Sequence, residues 1–251
     1  MSNSPKIRRR TQSGAAAEIQ VLSAGAMGEI VRDLGDAYER TTGIKVRAEF
    51  SRSPLVRDRI RAGEPFDVVI TTQSRIEELR GANRLVPDAV AIVARSLIGV
   101  AVRTGRPKPN IASIDAFVGT LRAASSIACA DPAFGTASGL YLVDLFDRLG
   151  LTAELKPKTR FIGAAGGAPV VVCATVADGR AELGIQQIAE IVSVPGVDLI
   201  GPLPREIQHV TLFAVAIASA APNQSLARDF LTFFRSATAR AVTAAHGMEP
   251  A

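Results

Sequence analysis

Short runs of strand-like, apolar-rich pattern give way repeatedly, along this chain, to stretches with apolar residues three and four apart. Ile19, Val21 and Leu22 mark a strand over 19–22. A helical pattern follows over 28–42, with Ile30, Val31, Leu34, Ala37 and Tyr38 on one face. Gly43 supplies the stop just past its end. Val46, Ala48 and Phe50 alternate with Lys45, Arg47 and Glu49, which predicts a strand over 45–50 with one wet face. A short helix over 55–62 ends at Gly63, and Pro65-Phe66 turns the chain into a buried strand over 67–71. Ser74 and Glu77 have capping-box spacing for a helix over 75–81. Another strand, over 97–103, runs into the breaker-rich turn Gly105-Arg106-Pro107-Lys108-Pro109.

A second unit then begins. Ile114, Phe117 and Leu121 are in step on a helix over 113–122, a strand covers 127–130, and a helix over 137–149 stops at Gly150. A glycine-rich loop from Gly163 to Pro169 precedes a helix over 170–178, and short strands cover 182–185 and 197–200. Gly201-Pro202-Leu203-Pro204 marks a second crossing before a long apolar strand over 210–218. Leu226, Phe230, Leu231 and Phe234 anchor the closing helices near 225–234 and 236–245. Strand–helix alternation of this kind implies mostly parallel sheets flanked by helices. The expected organisation is a disordered tail over 1–17, a discontinuous first lobe over 18–103 plus 210–251, and a second lobe over 104–209. Two connections between such lobes form a natural hinge, and closure about a ligand is the motion they permit.

Three strand-to-helix corners carry the candidate chemistry. They are Ser23-Ala24-Gly25-Ala26-Met27-Gly28, Ser51-Arg52-Ser53-Pro54, and the run from Asp131-Pro132 through Thr136-Ala137-Ser138-Gly139. Each is small, hydroxyl-bearing or glycine-rich, so each exposes backbone N–H groups where the helix dipole also favours negative charge. Thr71 and Thr72 close the third strand at the same edge, where capping is their alternative role. Corners converging on one gap would hold a small anion with no metal or cofactor. The formal charge of +5 suits an anionic ligand, although Lys6, Arg8, Arg9 and Arg10 of the tail account for part of it. No nucleic-acid-binding signature accompanies those basic residues. With no tryptophan and 5% aromatics, stacking-based recognition of sugars or bases is disfavoured.

Cys129 and Cys173 lie in apolar runs and read as buried thiols. No apolar stretch is long enough to span a membrane. Arg8-Arg9-Arg10 resembles the basic start of an export signal, but residues 11–18 are too polar and short for the apolar segment that must follow. The expected location is therefore periplasmic if a leader has been lost, and cytoplasmic otherwise. His209 and His246 are the two histidines. His209 stands at the second crossing and His246 in the last helix, away from the expected cleft. No Ser–His–Asp context, Gly-Lys-Ser/Thr phosphate loop or zinc-type cluster is present.

These residues together resemble the periplasmic type II solute-binding proteins, in the molybdate-binding-protein-like branch. The resemblance runs over nearly the whole chain after Glu18. It rests on the order of Glu39-Arg40-Thr41-Thr42-Gly43-Ile44-Lys45-Val46, Ala62-Gly63-Glu64-Pro65-Phe66-Asp67, Asp131-Pro132 with Ala137-Ser138-Gly139, and Ala177-Asp178-Gly179-Arg180-Ala181-Glu182. The closing helices through His246-Gly247-Met248 add to it. It implies two α/β lobes, a ligand cleft between them, a monomer, and delivery of a small anion to an ABC transporter permease. In molybdate binders, serine hydroxyls, backbone amides and a tyrosine hydroxyl hold the oxyanion. Carried over, the first serine position falls on Ala26, between Gly25 and Met27, and lacks a hydroxyl. The second falls on Ser53, preceded by Arg52 where small residues are usual. The amide positions fall on Ala137, beside Ser138, and near Ala168, and the tyrosine position on Gln187.

Two side-chain donors have thus changed, and each lost charge-assisted bond would cost about 1.5–3 kcal/mol. Arg52 and Gln187 instead suit a planar carboxylate, which a guanidinium grips with two bonds. A non-enzymatic binder of a small organic acid is the expected function, with a molybdate-like oxyanion next. The branch also resembles binders turned enzymes, such as aconitate isomerase, for which Glu29 is a possible base. A cytosolic ligand-sensing domain is the remaining alternative.

Overall fold

The computed structural model describes residues 18–163 and 171–251. The tail over 1–17 and Ala168 of the glycine-rich loop lie outside the described residues. β1 (Glu18–Ala24) and β2 (Lys45–Ser51) run parallel, joined through α1 (Gly28–Thr42). α2 (Ser53–Ala62) leads to β3 (Val68–Thr72), parallel to β1 on its other side, and α3 (Gln73–Gly81) follows. Then come β4 (Leu85–Arg103), α4 (Ile114–Ala123), β5 (Ile127–Ala130), α5 (Ala137–Arg148), α6 (Thr152–Leu155) and β6 (Thr159–Ile162). α7 (Ala174–Ala177), β7 (Leu183–Gln187), α8 (Ile188–Val192) and β8 (Val197–Pro202) complete the middle of the chain. β9 (Val210–Ala218), α9 (Gln224–Phe233), α10 (Ala237–Ala245) and β10 (Glu249–Pro250) close it.

Hydrogen bonding orders the strands β2-β1-β3-β9-β4-β7-β5-β6, with β8 and β10 paired to β4. β1, β2 and β3 form a parallel set, as do β5, β6 and β7. β9 and β4 run antiparallel between them. The 19 residues of β4 extend about 60 Å at the usual strand rise of roughly 3.3 Å. Its first part pairs with β9, and its last part, from Ile98, pairs with β7 and β8. The sequence pattern predicts only a strand over 97–103 here. Register shifts between Leu85 and Val90, and between Ile92 and Ala94, break the alternation in the earlier half. That strand, assigned from sequence to the first lobe, therefore gives its C-terminal part to the second sheet. Gln208 pins the other crossing to it: Ile98 N–H donates to Gln208 Oε1 (2.9 Å), and Gln208 Nε2 donates to the Ile98 carbonyl (2.9 Å).

Both sheets are covered on both faces, as parallel strands require. Alternate residues of one strand go to opposite layers. Val68 and Ile70 join the core under α1, α9 and α10, while Val69 packs under α2 and α3. In the second sheet, Ile127 and Cys129 pack with Phe117 and Leu142, while Ala128 and Ala130 face Val172 and Val176. The absence of a side chain at Gly99 lets α8 approach: a Cβ there would lie 2.7 Å from Ile188 Cγ1 and 2.9 Å from Leu199 Cδ1. This close seating positions the face of α8 that reaches the site.

Two local expectations change. Ser74 does not cap α3. β3 runs straight into that helix, Thr72 is the boundary residue, and Ser74 Oγ lies 3.1 Å from Thr72 Oγ1 within the first turn. The helix expected over 170–178 is confined, among the described residues, to Ala174–Ala177. No helix among the described residues is long and apolar enough to cross a membrane.

Candidate functional site

A cavity of about 50 Å³ lies where strand ends from both sheets meet helix starts. Ala24, Gly25 and Ala26 reach it from the β1–α1 corner, and Ser51, Arg52 and Ser53 from the β2–α2 corner. Thr72 ends β3 there, and Phe213 comes from β9. From the other sheet come Ala130, Thr136, Ala137 and Ser138 at the β5–α5 corner, and Gln186, Gln187 and Glu190 at the β7–α8 corner. The residues before α1, α2, α5 and α8 accept no side-chain hydrogen bond from the first N–H groups of those helices. Helix starts of this kind suit an anion.

The two lobes touch at this cavity. The Arg52 guanidinium carbon sits 4.4 Å from the centroid of the Phe134 ring, across the cleft. A Cβ on Gly135, whose φ is +64°, would lie 3.2 Å from Pro54 Cγ. Arg52 Nε is shut away from solvent without a hydrogen-bond partner, as are Thr136 Oγ1 and Gln187 Oε1. Gln187 is held in place because its Nε2 donates to Thr211 Oγ1 at 2.8 Å. Buried polar atoms left without partners are costly, and these three belong to residues that line one cavity.

Of the residues singled out from sequence, Gly25, Ala26, Arg52, Ser53, Thr72, Ala137, Ser138 and Gln187 are brought together here. Met27 is not: its side chain is fully buried in the first-lobe core, because the turn of 3-10 helix over Gly25–Met27 points it inward. Thr71 is also fully buried away from the cavity, its neighbour Thr72 taking the cleft face of the strand.

Glu190 is the residue the pattern of corners misses. It lines this cavity and also a second one of about 50 Å³, formed with Gly25, Ala26, Glu29, Ile30, Ala189, Ser193 and His246. Gly25, Ala26 and Glu190 line both cavities. Desolvation pushes its carboxyl up to about 7, against a hydrogen bond from Gln186 that favours the ion. The sequence signal was available: Glu190 is the one charged residue in the apolar run over 183–192. His246, expected away from the cleft, lines the second cavity because α10 packs on α1, and its Nε2 lies 2.8 Å from Asp33 Oδ2. Glu29 reaches the same cavity but is half-exposed and ion-paired to Arg32.

The remaining candidates have structural roles. His209 stacks on Tyr141 with centroids 4.7 Å apart, and burial lowers its pKa. Cys129 and Cys173 are fully buried, and desolvation pushes both thiols up to about 12. No group of three or more His, Cys, Asp or Glu residues able to hold a metal ion occurs among the described residues.

Two α/β lobes joined by β4 and by the crossing that Gln208 pins to it, with helix starts walling the cleft between them, define a type II periplasmic binding protein fold. The chain belongs to the bacterial extracellular solute-binding protein family, whose model matches residues 19–249. It is 35% identical over 240 residues to an aconitate isomerase of a Pseudomonas species, covering 92% of this chain and 87% of that protein. It is 22% identical over 211 residues to the molybdate-binding protein of Escherichia coli strain K12, covering 83% and 80%. The solved periplasmic molybdate-binding protein of Azotobacter vinelandii superposes with a TM-score of 0.73 at 20% identity, over 92% of this chain and 98% of that one.

Proposed function

We propose that this protein captures a small organic acid carrying more than one carboxylate, by closure of the two lobes over it. The observation that carries this reading is the partnerless, solvent-shielded Nε of Arg52 at a cavity otherwise walled by hydroxyls, amides and helix starts. A guanidinium edge matches a planar carboxylate with two parallel bonds. The tetrahedral-oxyanion alternative is weakened by Ala26, which offers no hydroxyl.

One water needs about 10–15 Å³, so each 50 Å³ cavity takes roughly three to five ligand atoms, the size of a single carboxylate or oxyanion. A second acid group would call on the neighbouring cavity that Gly25, Ala26 and Glu190 also line. Ligand binding shifts the open–closed balance only through ligand contacts made better in the closed state, and a carboxylate reaching both Arg52 and the Thr136–Ser138 corner would make them. Delivery to an ABC transporter permease fits the family.

A second reading, turnover of the bound acid, is favoured by the 35% identical relative named for isomerising aconitate. The test of the first reading is a melting-temperature panel. A ligand that binds only the folded chain raises the midpoint, by RT ln(1 + [L]/Kd) in free energy. Tricarballylate, citrate and aconitate are expected to raise it, and molybdate and sulfate to leave it unchanged. A response confined to molybdate or sulfate would overturn the carboxylate reading.

A further inference from the structure

Gln187 ends β7 at the cavity wall, and both its backbone and its side chain are held there. The backbone stands in register with Ile98 of β4, beside the crossing that Gln208 pins. The side chain is buried, and its Nε2 donates to Thr211 Oγ1 of β9 at 2.8 Å. Thr211 is itself in register with Ser96 of β4, so the acceptor that holds the amide sits on a paired strand. A glutamine amide has one donor end and one acceptor end. With Nε2 committed to β9, the end left over is Oε1, which is shut away from solvent and has no partner.

The other partnerless groups of this wall differ in kind. Arg52 Nε donates only, and Thr136 Oγ1 can donate. Both suit a carboxylate or an inorganic oxyanion. Gln187 Oε1 can only accept. A carboxylate, molybdate or sulfate oxygen beside it is a second acceptor, so the amide oxygen would stay unpaired. A ligand that satisfies all three groups brings acceptors and one donor.

We infer that Gln187 selects a 2-hydroxy carboxylate. Arg52 and the Thr136–Ser138 corner take the carboxylate, and Gln187 Oε1 accepts a hydrogen bond from the hydroxyl on the neighbouring carbon. The inference rests on the carboxylate reading above and narrows it to one chemical class. Size agrees with it. A carboxylate, the carbon that bears it and one hydroxyl make about five non-hydrogen atoms, which a cavity of about 50 Å³ accommodates.

The test is calorimetric titration of the full chain with two matched pairs, malate against succinate and citrate against tricarballylate. The members of each pair differ by one hydroxyl. In each pair that binds, wild type is expected to hold the hydroxyl-bearing acid at least about tenfold more tightly, because its partner leaves a buried acceptor unpaired. Gln187→Met keeps the length of the side chain and drops both polar ends. It is expected to bring the two members within about threefold of each other. A merely structural role would weaken both members alike, and a ratio unchanged in Gln187→Met would overturn the inference. Should that variant not fold, Thr211→Val decides. It removes the acceptor that orients the amide, so the ratio should shrink, and an unchanged ratio would count against Gln187. Equal binding within a pair by wild type, or tighter binding of the acid without the hydroxyl, would sink this inference and leave the carboxylate reading standing. Failure of all four acids to bind would instead remove the reading beneath it.

Discussion

Removing the Arg52 side chain separates two effects that the structure superposes at one residue. Its Nε has no partner in the protein, so a carboxylate that binds there gains a charge-assisted bond worth about 1.5–3 kcal/mol. Its guanidinium also lies over Phe134 of the opposite lobe at 4.4 Å, a cation–π contact worth about 0.5–2 kcal/mol that favours the closed form. Arg52→Ala loses both. At about 1.4 kcal/mol per decade, tricarballylate affinity should fall roughly 30-fold to several thousand-fold. Phe134→Ala removes only the closure contact, so its loss should be about 2- to 30-fold. Arg52→Lys keeps the charge but not the planar fork and should fall between them. Calorimetric titration of the three variants and the double variant reads each quantity, and the double-mutant cycle isolates the coupling of the pair. An Arg52→Ala affinity within twofold of wild type would refute the reasoning. So would a Phe134→Ala loss as large as that of Arg52→Ala.

Other outcomes follow from the same geometry. The Glu190 carboxyl titrates near 7 in the folded chain against an ordinary value of 4.5, so the folded state holds this proton more tightly and ionisation opposes folding. That cost is absent below pH about 4.5 and complete above about 7, at up to about 3 kcal/mol. Glu190→Gln should thus be more stable than wild type in urea at pH 8 and nearly equal at pH 4.5; a difference that does not change with pH would contradict this. Cys129 and Cys173, both fully buried with thiols pushed up to about 12, should resist a thiol reagent at pH 8 until denaturant opens the chain. Rapid labelling of either in the native protein would be inconsistent with the packing. A Cβ on Gly139 would lie 2.7 Å from the Ala130 carbonyl oxygen and 2.8 Å from Thr136 Oγ1. Gly139→Ala should therefore lower the unfolding free energy by about 1–3 kcal/mol with an unchanged denaturant slope.

Much of the fold was legible because its signals are local. Helix α1 spans the residues its apolar spacing predicts, since Ile30, Val31, Leu34 and Tyr38 depend only on a 3.6-residue period to share a face. The strand over Val210–Ala218 is equally plain, nine residues with apolar ones filling most of the run and turns at both ends. Strand-to-helix corners can be read the same way, as hydroxyl-bearing or glycine-rich breaks between two periods. What a corner's side chains then face is another matter. Met27 stands in such a corner and turns into the core, while Ala26 beside it lines the cleft.

Sequence alone determined most strands and helices in their order, with β6, α6, α8, β10 and the first part of β4 excepted, and the chemical character of the corners. Those follow from interactions among residues a few positions apart. Only the tertiary structure decided that β4 belongs to both sheets, that His246 comes back beside Asp33 across 213 positions, and that Glu190 lines two cavities. The physical reason is that desolvation of a carboxyl is set by whatever packs around it. Around Glu190 those neighbours arrive from both ends of the chain.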